Sequence, residues 1–238
     1  MQLFPAVMIS GPPHSGKTVL ATALSQALRR RGVEHYVLRA CPDGEGDWSS
    51  QADALLVRAL RYKGQITPEY VRLVCRDVAN RHLPLIVDVG GQPAEFQEAV
   101  FDQCTHAILL TPQTEKRAWW RQLAARHNLP LLADLHSSRA GRSRVWHMRP
   151  VLQAKLCHLE RQQPVRGPAF QALVGLLRSL FNYGQDELLT HHLAAAPTEL
   201  TVELTRLHQT CGRGRPGDRW QPEQLATVLD YLPPGTPL

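Results

Sequence analysis

Eight residues near the start, Gly11, Pro12, Pro13, His14, Ser15, Gly16, Lys17 and Thr18, constrain this chain more than any other stretch. An apolar pentad, AVMIS, precedes them. An amphipathic run follows, with Val19, Leu20, Ala23, Leu24, Ala27 and Leu28 on one helical face. The spacing is G-x-x-x-x-G-K-[ST]. Glycine at 11 and 16 allows backbone angles and close approaches that a Cβ would block. Such a loop at a helix start turns several N–H groups toward one point, where the helix dipole also favours negative charge. The octet therefore reads as a phosphate cradle. Pro12, Pro13, His14 and Ser15 supply its backbone, Lys17 reaches the β- and γ-phosphates, and the Thr18 hydroxyl takes magnesium. A chance match in a chain of this size is on the order of one in a hundred, so strand, loop and helix together favour a P-loop over a glycine-rich turn.

A second signal is LPLIVDVGG at residues 83–91. An apolar strand ending in Asp88 suits a carboxylate that holds magnesium through water, and Gly90 and Gly91 suit backbone that senses the γ-phosphate. A third is the acidic loop with Asp43, Glu45 and Asp47, expected at the same sheet edge. Asp43, nearest the strand end, is the candidate for positioning water or taking a proton. A plain solvated loop is the competing reading. Around Asp134 the strand lacks the N/T-K-x-D pattern that reads guanine, which favours ATP. The loop also lacks a second lysine, since Pro12 and Pro13 stand near its start. Lys116, Arg117, Arg121 and Arg126 read as a solvated helix face or as the source of a lid arginine.

Strand-like and helix-like segments alternate through residue 138. Strands are expected at 6–10, 35–40, 83–89, 107–111 and 131–135, with helices at 16–31, 51–63, from Thr67-Pro68 onward, and near 115–127. Arg29, Arg30 and Arg31 before Gly32 read as a helix end, because cations suit the negative pole of the dipole. The alternation predicts an α/β fold, a doubly wound parallel sheet of five strands with helices on both faces. Residues 139–238 show no strand signal. They predict an all-helical subdomain, with helices at 150–162, 168–182 and beyond, ending in a Pro/Gly-rich tail.

Net charge is +6, nearly all of the cations being arginine, and suits an anionic partner: nucleotide or, with weaker support, nucleic acid, for which Arg213 and Arg215 are the candidates. Hydrophobic residues at 43% allow a real core. No apolar run approaches the ~20 residues of a membrane span. The five scattered cysteines form no CxxC pair, which argues against zinc and disulfides. The N-terminus has no basic n-region, so no signal peptide is expected and a cytoplasmic location follows.

GPPHSGKT, LRACPDGEGDW, LPLIVDVGG and QCTHAILLT, with LAAAPTEL and WQPEQL further on, resemble one family. It is the P-loop, AAA-labelled module that accompanies the CRISPR-associated ring nuclease of type III systems. The resemblance covers nearly the whole chain and implies an ATPase or kinase-like module in antiviral signalling by cyclic oligoadenylates. In fused relatives the nuclease-like domain follows a segment like PPGTPL, where this chain stops. A ring-nuclease-like protein or domain in trans is one candidate partner that the resemblance implies, and no nuclease residue carries over. The expected function is a magnesium-dependent ATP-binding NTPase with Lys17 and Asp88 in the catalytic machinery, slow alone and open to an arginine from a homo-oligomer or partner. Two alternatives stay open: a kinase for a small-molecule or nucleotide acceptor, with Asp43 or Glu45 as base, and an ATP-gated interaction module with negligible turnover.

Overall fold

The computed structural model of the chain describes residues 4–41, 66–112 and 115–188. Its centre is β1 (Ala6–Ser10), five residues with essentially no solvent exposure. Both faces of this strand are covered, which is why its sequence is continuously apolar rather than alternating. The loop at 11–16 leads into α1 (Lys17–Arg29), which buries Leu20, Leu24 and Leu28. Each such leucine stabilises by roughly 1.5–3 kcal/mol, more than any helix cap. The arginine run does end this helix: Arg31 donates to the Ala27 carbonyl, and Gly32 follows at φ 67°.

The chain then forms β2 (Tyr36–Arg39), α2 (Pro68–Ala79), β3 (Leu85–Asp88), a 3-10 turn at Glu95–Gln97, α3 (Ala99–Asp102), β4 (His106–Thr111), α4 (Arg117–Arg126) and β5 (Leu131–Ser138). The Thr67 side chain accepts from the Tyr70 amide, so Thr67-Pro68 is a working N-terminal cap. Buried Arg81 ties three segments together. It donates to the carbonyls of Phe4, of Val78 at 2.6 Å and, more weakly, of Gln103. The expected helix at 51–63 lies outside the described residues.

Beyond residue 138 the structure departs from expectation. β6 (Arg144–His147) and β7 (Leu152–Cys157) join the sheet, and α5 (Pro168–Leu180) packs against it. The sheet therefore has seven strands, not five, in the order β2-β3-β1-β4-β5-β7-β6, all parallel except β6 against β7. The expected helix at 150–162 is largely strand. Its Ala, Gln, Lys and Leu are good helix formers, but Leu152, Ala154 and Leu156 alternate with half-buried Gln153 and Lys155. Pairing along β5 decides in favour of the period of two. The boundary at residue 138 fails for the same reason: one compact unit runs to residue 182, and residues 183–238 form a second. The all-helical expectation is thus overturned up to 182, and past 188 it lies outside the described residues.

Residues of α1 and α5 belong to the apolar cluster on one face of the sheet, and residues of α2, α3 and α4 to the cluster on the other. Among the described residues, no helix is long and apolar enough to cross a membrane.

A charged clasp joins α3 to the end of α4. His127 Nδ1 lies 2.6 Å from Asp102 and its Nε2 3.0 Å from Glu98, with the ring edge-on to Phe101. Partial burial disfavours the imidazolium, but the two hydrogen bonds and two carboxylate charges outweigh it and raise the pKa above 6.5. The clasp's stabilisation is therefore full below pH 6.5 and is lost as pH rises through the raised value. Urea midpoints measured from acid to alkaline pH should fall in the native chain relative to His127→Gln across that window.

Candidate functional site

The sheet order brings the site together. β1 and β3 are parallel neighbours with Ile9 opposite Asp88, so the loop leaving β1 starts beside that carboxylate. β2 flanks β3 with Arg39 opposite Asp88. All three strands end at one edge, where α/β folds bind ligands.

In the loop, Gly11 takes φ 149° and Gly16 φ 94°, and His14 also has a positive φ of 61°. A Cβ on Gly11 would sit 2.0 Å from the Leu110 carbonyl oxygen, and one on Gly16 would meet Leu159. Both glycines are thus required by conformation and by space. Lys17 is only 7% exposed and folds back over the loop, donating to the Gly11 and Pro12 carbonyls at 2.9 Å each. Its ammonium is held at the loop's centre.

Two features of the loop call for an anion. No side chain caps α1, whose N-cap is Gly16, so its first-turn N–H groups have no intrahelical partner. The Ser15 hydroxyl is buried and makes no hydrogen bond. An orphaned buried hydroxyl costs roughly 1–3 kcal/mol, and a phosphate oxygen would satisfy it.

Thr18 Oγ1 donates to Asp88 Oδ2 at 2.7 Å, and Arg39 Nε lies 4.0 Å from that same oxygen. Asp88 is 1% exposed. Hydroxyl and carboxylate thus meet at the loop's end, a donor set that suits magnesium, which takes one or two protein oxygens and completes its shell with phosphate and water. Among the described residues, no three His, Cys, Asp or Glu side chains cluster as a self-sufficient metal cage.

Gly90 and Gly91 lie across the loop. A Cβ on Gly91 would come within 2.5 Å of Pro13 Cγ, so the segment after β3 touches the loop directly. Pro13, His14, Gly16, Lys17, Thr18, Gly90 and Gly91 border a cavity of about 350 Å³, together with Cys41, Leu159 and Arg161. A second cavity of about 330 Å³ shares Thr18, Val19 and Arg161 with it. It runs between Thr22 and Gln26 of α1 and the segment at 160–165.

The structure therefore gathers the loop, Asp88, Gly90 and Gly91 at one place. Asp43, Glu45 and Asp47 lie outside the described residues. Two arginines of α4 refine the sequence reading: Arg117, largely withdrawn from solvent, and Arg121, still half exposed, both pair with buried Asp134. Arg121 Nε donates to Asp134 Oδ2 at 2.7 Å, and Arg117 Nε lies 2.9 Å from Oδ1 but off the axis of a hydrogen bond. Both are thus committed away from the loop, against the lid role. Arg39, Leu159 and Arg161 were missed. Parallel register beside Asp88 was the available signal for Arg39, whereas reading 150–162 as helix hid the other two.

No protein-family model matches the chain, and no curated protein does. Among solved structures, one titled "Crystal structure of APE1195" aligns with a TM-score of 0.24 and 21% identity over 57% of this chain. The alignment covers 61% of that protein, so this chain spans about three fifths of its length.

Proposed function

We propose that this chain is a magnesium-dependent ATP-binding P-loop NTPase whose site is the loop at 11–18 with Asp88. The observation that carries the reading is the conjunction of buried Lys17 over the loop carbonyls with the Thr18–Asp88 hydrogen bond at its end. Lys17, the Ser15 hydroxyl and the first-turn amides of α1 bind the phosphates. Thr18 and Asp88 would hold magnesium, whose positive charge would offset the negative charge of the β- and γ-phosphates. Gly91, in contact with Pro13, reports the γ-phosphate to the segment at 92–98, which leads into α3.

The neighbouring cavity supports placing the nucleoside between α1 and residues 160–165. It opens from Thr18 and Val19, and Gln26 and Gln163 give its wall amide groups that can read a base edge. Turnover in isolation is slow in this reading, and a partner or second copy accelerates it by supplying an arginine. A role as accessory module of a type III CRISPR ring-nuclease system rests on the sequence resemblance alone.

The test is nucleotide binding and turnover with ATP and GTP, with and without Mg²⁺, in the native chain, Asp88→Ala and Thr18→Val. ATP should bind in preference to GTP. ADP should accumulate only with Mg²⁺ in the native chain, and either substitution should lower turnover by about 10²-fold or more. Equal turnover in Asp88→Ala would sink the magnesium assignment. Tight ATP binding with no ADP formed would replace the NTPase by a nucleotide-gated module.

A further inference from the structure

We propose that the face of β5, β7 and β6 turned away from α5 binds single-stranded nucleic acid. The inference is independent of the nucleotide reading, because it concerns the opposite end of the sheet and other residues.

One face of these strands belongs to the core. Ala133, Leu135, Leu152, Ala154 and Leu156 are buried there with α5. Strand register places the other face residue by residue. His136 pairs with Lys155, and Lys155 pairs with Arg144, so the three form one row across the sheet. The next row is Asp134, Gln153 and His147. Arg144 and His147 are exposed, and His136, Gln153 and Lys155 are half-buried. An ordinary two-sided sheet would carry apolar residues here. This one carries a row of basic groups about 10 Å long, at roughly 4.8 Å per strand.

The row has no acidic counterpart of its own. Asp134 is the sole carboxylate on the three strands, and it is already shared by Arg117 and Arg121. That trio keeps a net positive charge. Burial first, then Arg117 and Lys155, push the His136 pKa down, so near neutral pH Lys155 and Arg144 carry the charge of the row and His136 contributes a neutral ring. Exposed Arg142 extends the charge through the β5–β6 connection. Lys155 directly opposite Arg144 costs stability through repulsion, and a polyanion laid across them relieves it.

An exposed aromatic residue lies two positions along β6 from Arg144. The register between β6 and β7 shifts at Trp146, which is 43% exposed. A bulge re-aims the side chain it carries. A basic track with an exposed indole is what single strands need, because unpaired bases offer π-faces for stacking while phosphates take the cations. A duplex hides its base faces, and an acidic peptide has none. The tryptophan therefore decides for single-stranded nucleic acid.

The experiment is fluorescence anisotropy of labelled oligouridylate and oligothymidylate with the full chain, between about 50 and 200 mM salt. Binding should weaken steeply with salt. The double variant Arg144→Gln with Lys155→Gln should lower the log–log slope by about 1.4, at about 0.7 per cation lost. Reversing both to Glu should cost at least about tenfold. Trp146→Ala, with Trp146→Leu as a milder form, should weaken binding about 5- to 100-fold. Unchanged melting and ATP binding in these variants exclude misfolding as the cause. No binding at low salt overturns the proposal, as does binding that all the variants retain. Equal binding of a duplex, or of poly-glutamate, also overturns it, the last by marking the face as a site for acidic protein segments.

Discussion

Replacing Lys17 by alanine should reduce ATP affinity by about 10²- to 10⁴-fold in titration calorimetry with Mg²⁺, while leaving the chain folded. Lys17 is buried, and its ammonium is satisfied by two loop carbonyls rather than by solvent. It is thus already desolvated and placed, and little reorganisation precedes phosphate binding. Charge-assisted hydrogen bonds contribute roughly 1.5–3 kcal/mol each, and two of them to phosphate oxygens give that range at 1.4 kcal/mol per tenfold. The folding cost is about 1–3 kcal/mol, since the buried carbonyls of Gly11 and Pro12 each lose a donor. Lys17→Arg should rescue poorly, because a planar guanidinium does not reproduce a compact ammonium held between two carbonyls. Full affinity in Lys17→Ala would mean that ATP binds elsewhere.

The parts of this arrangement that sequence alone revealed are those with local causes. The glycine-rich octet announces itself by spacing, and Asp88 by its place at the end of an apolar strand. The helix beginning at Thr67-Pro68 follows from capping chemistry, and the stripe Phe170, Leu173, Val174 and Leu177 from helical periodicity. Features with non-local causes were hidden. Residues 152–157 have helix-forming composition, and only the edge of β5 makes them a strand. Arg117 and Arg121 look like a solvated basic face until Asp134 is found beneath them. The basic row His136, Lys155 and Arg144 is scattered along the sequence and exists only through strand register. The extra two strands thus account for both the misplaced boundary at 138 and the missed Arg161.

The second large effect concerns Gly11. Gly11→Ala should destabilise the chain by about 3 kcal/mol or more, read as a thermal midpoint lower by roughly 6–12 °C for a unit of this size. A Cβ at Gly11 would stand 2.0 Å from the carbonyl oxygen of Leu110, and φ there is 149°. Leu110 lies in β4, fully buried and hydrogen-bonded to a neighbouring strand, so no flexible side chain can yield. Either β4 moves against β1 or the loop leaves its path, and the second would also displace Lys17 and Ser15. Nucleotide binding should therefore fall with stability, even under conditions where the variant stays folded. Gly175 supplies the contrast. It sits inside α5 with nothing within 4 Å of where its Cβ would stand. Gly175→Ala should stabilise by roughly 0.5–1 kcal/mol, because alanine loses less backbone entropy in a helix. Opposite signs from the same chemical change would locate the constraint in the contact between the loop and β4. A Gly11→Ala chain that melts like the native one would mean that the loop does not run against Leu110.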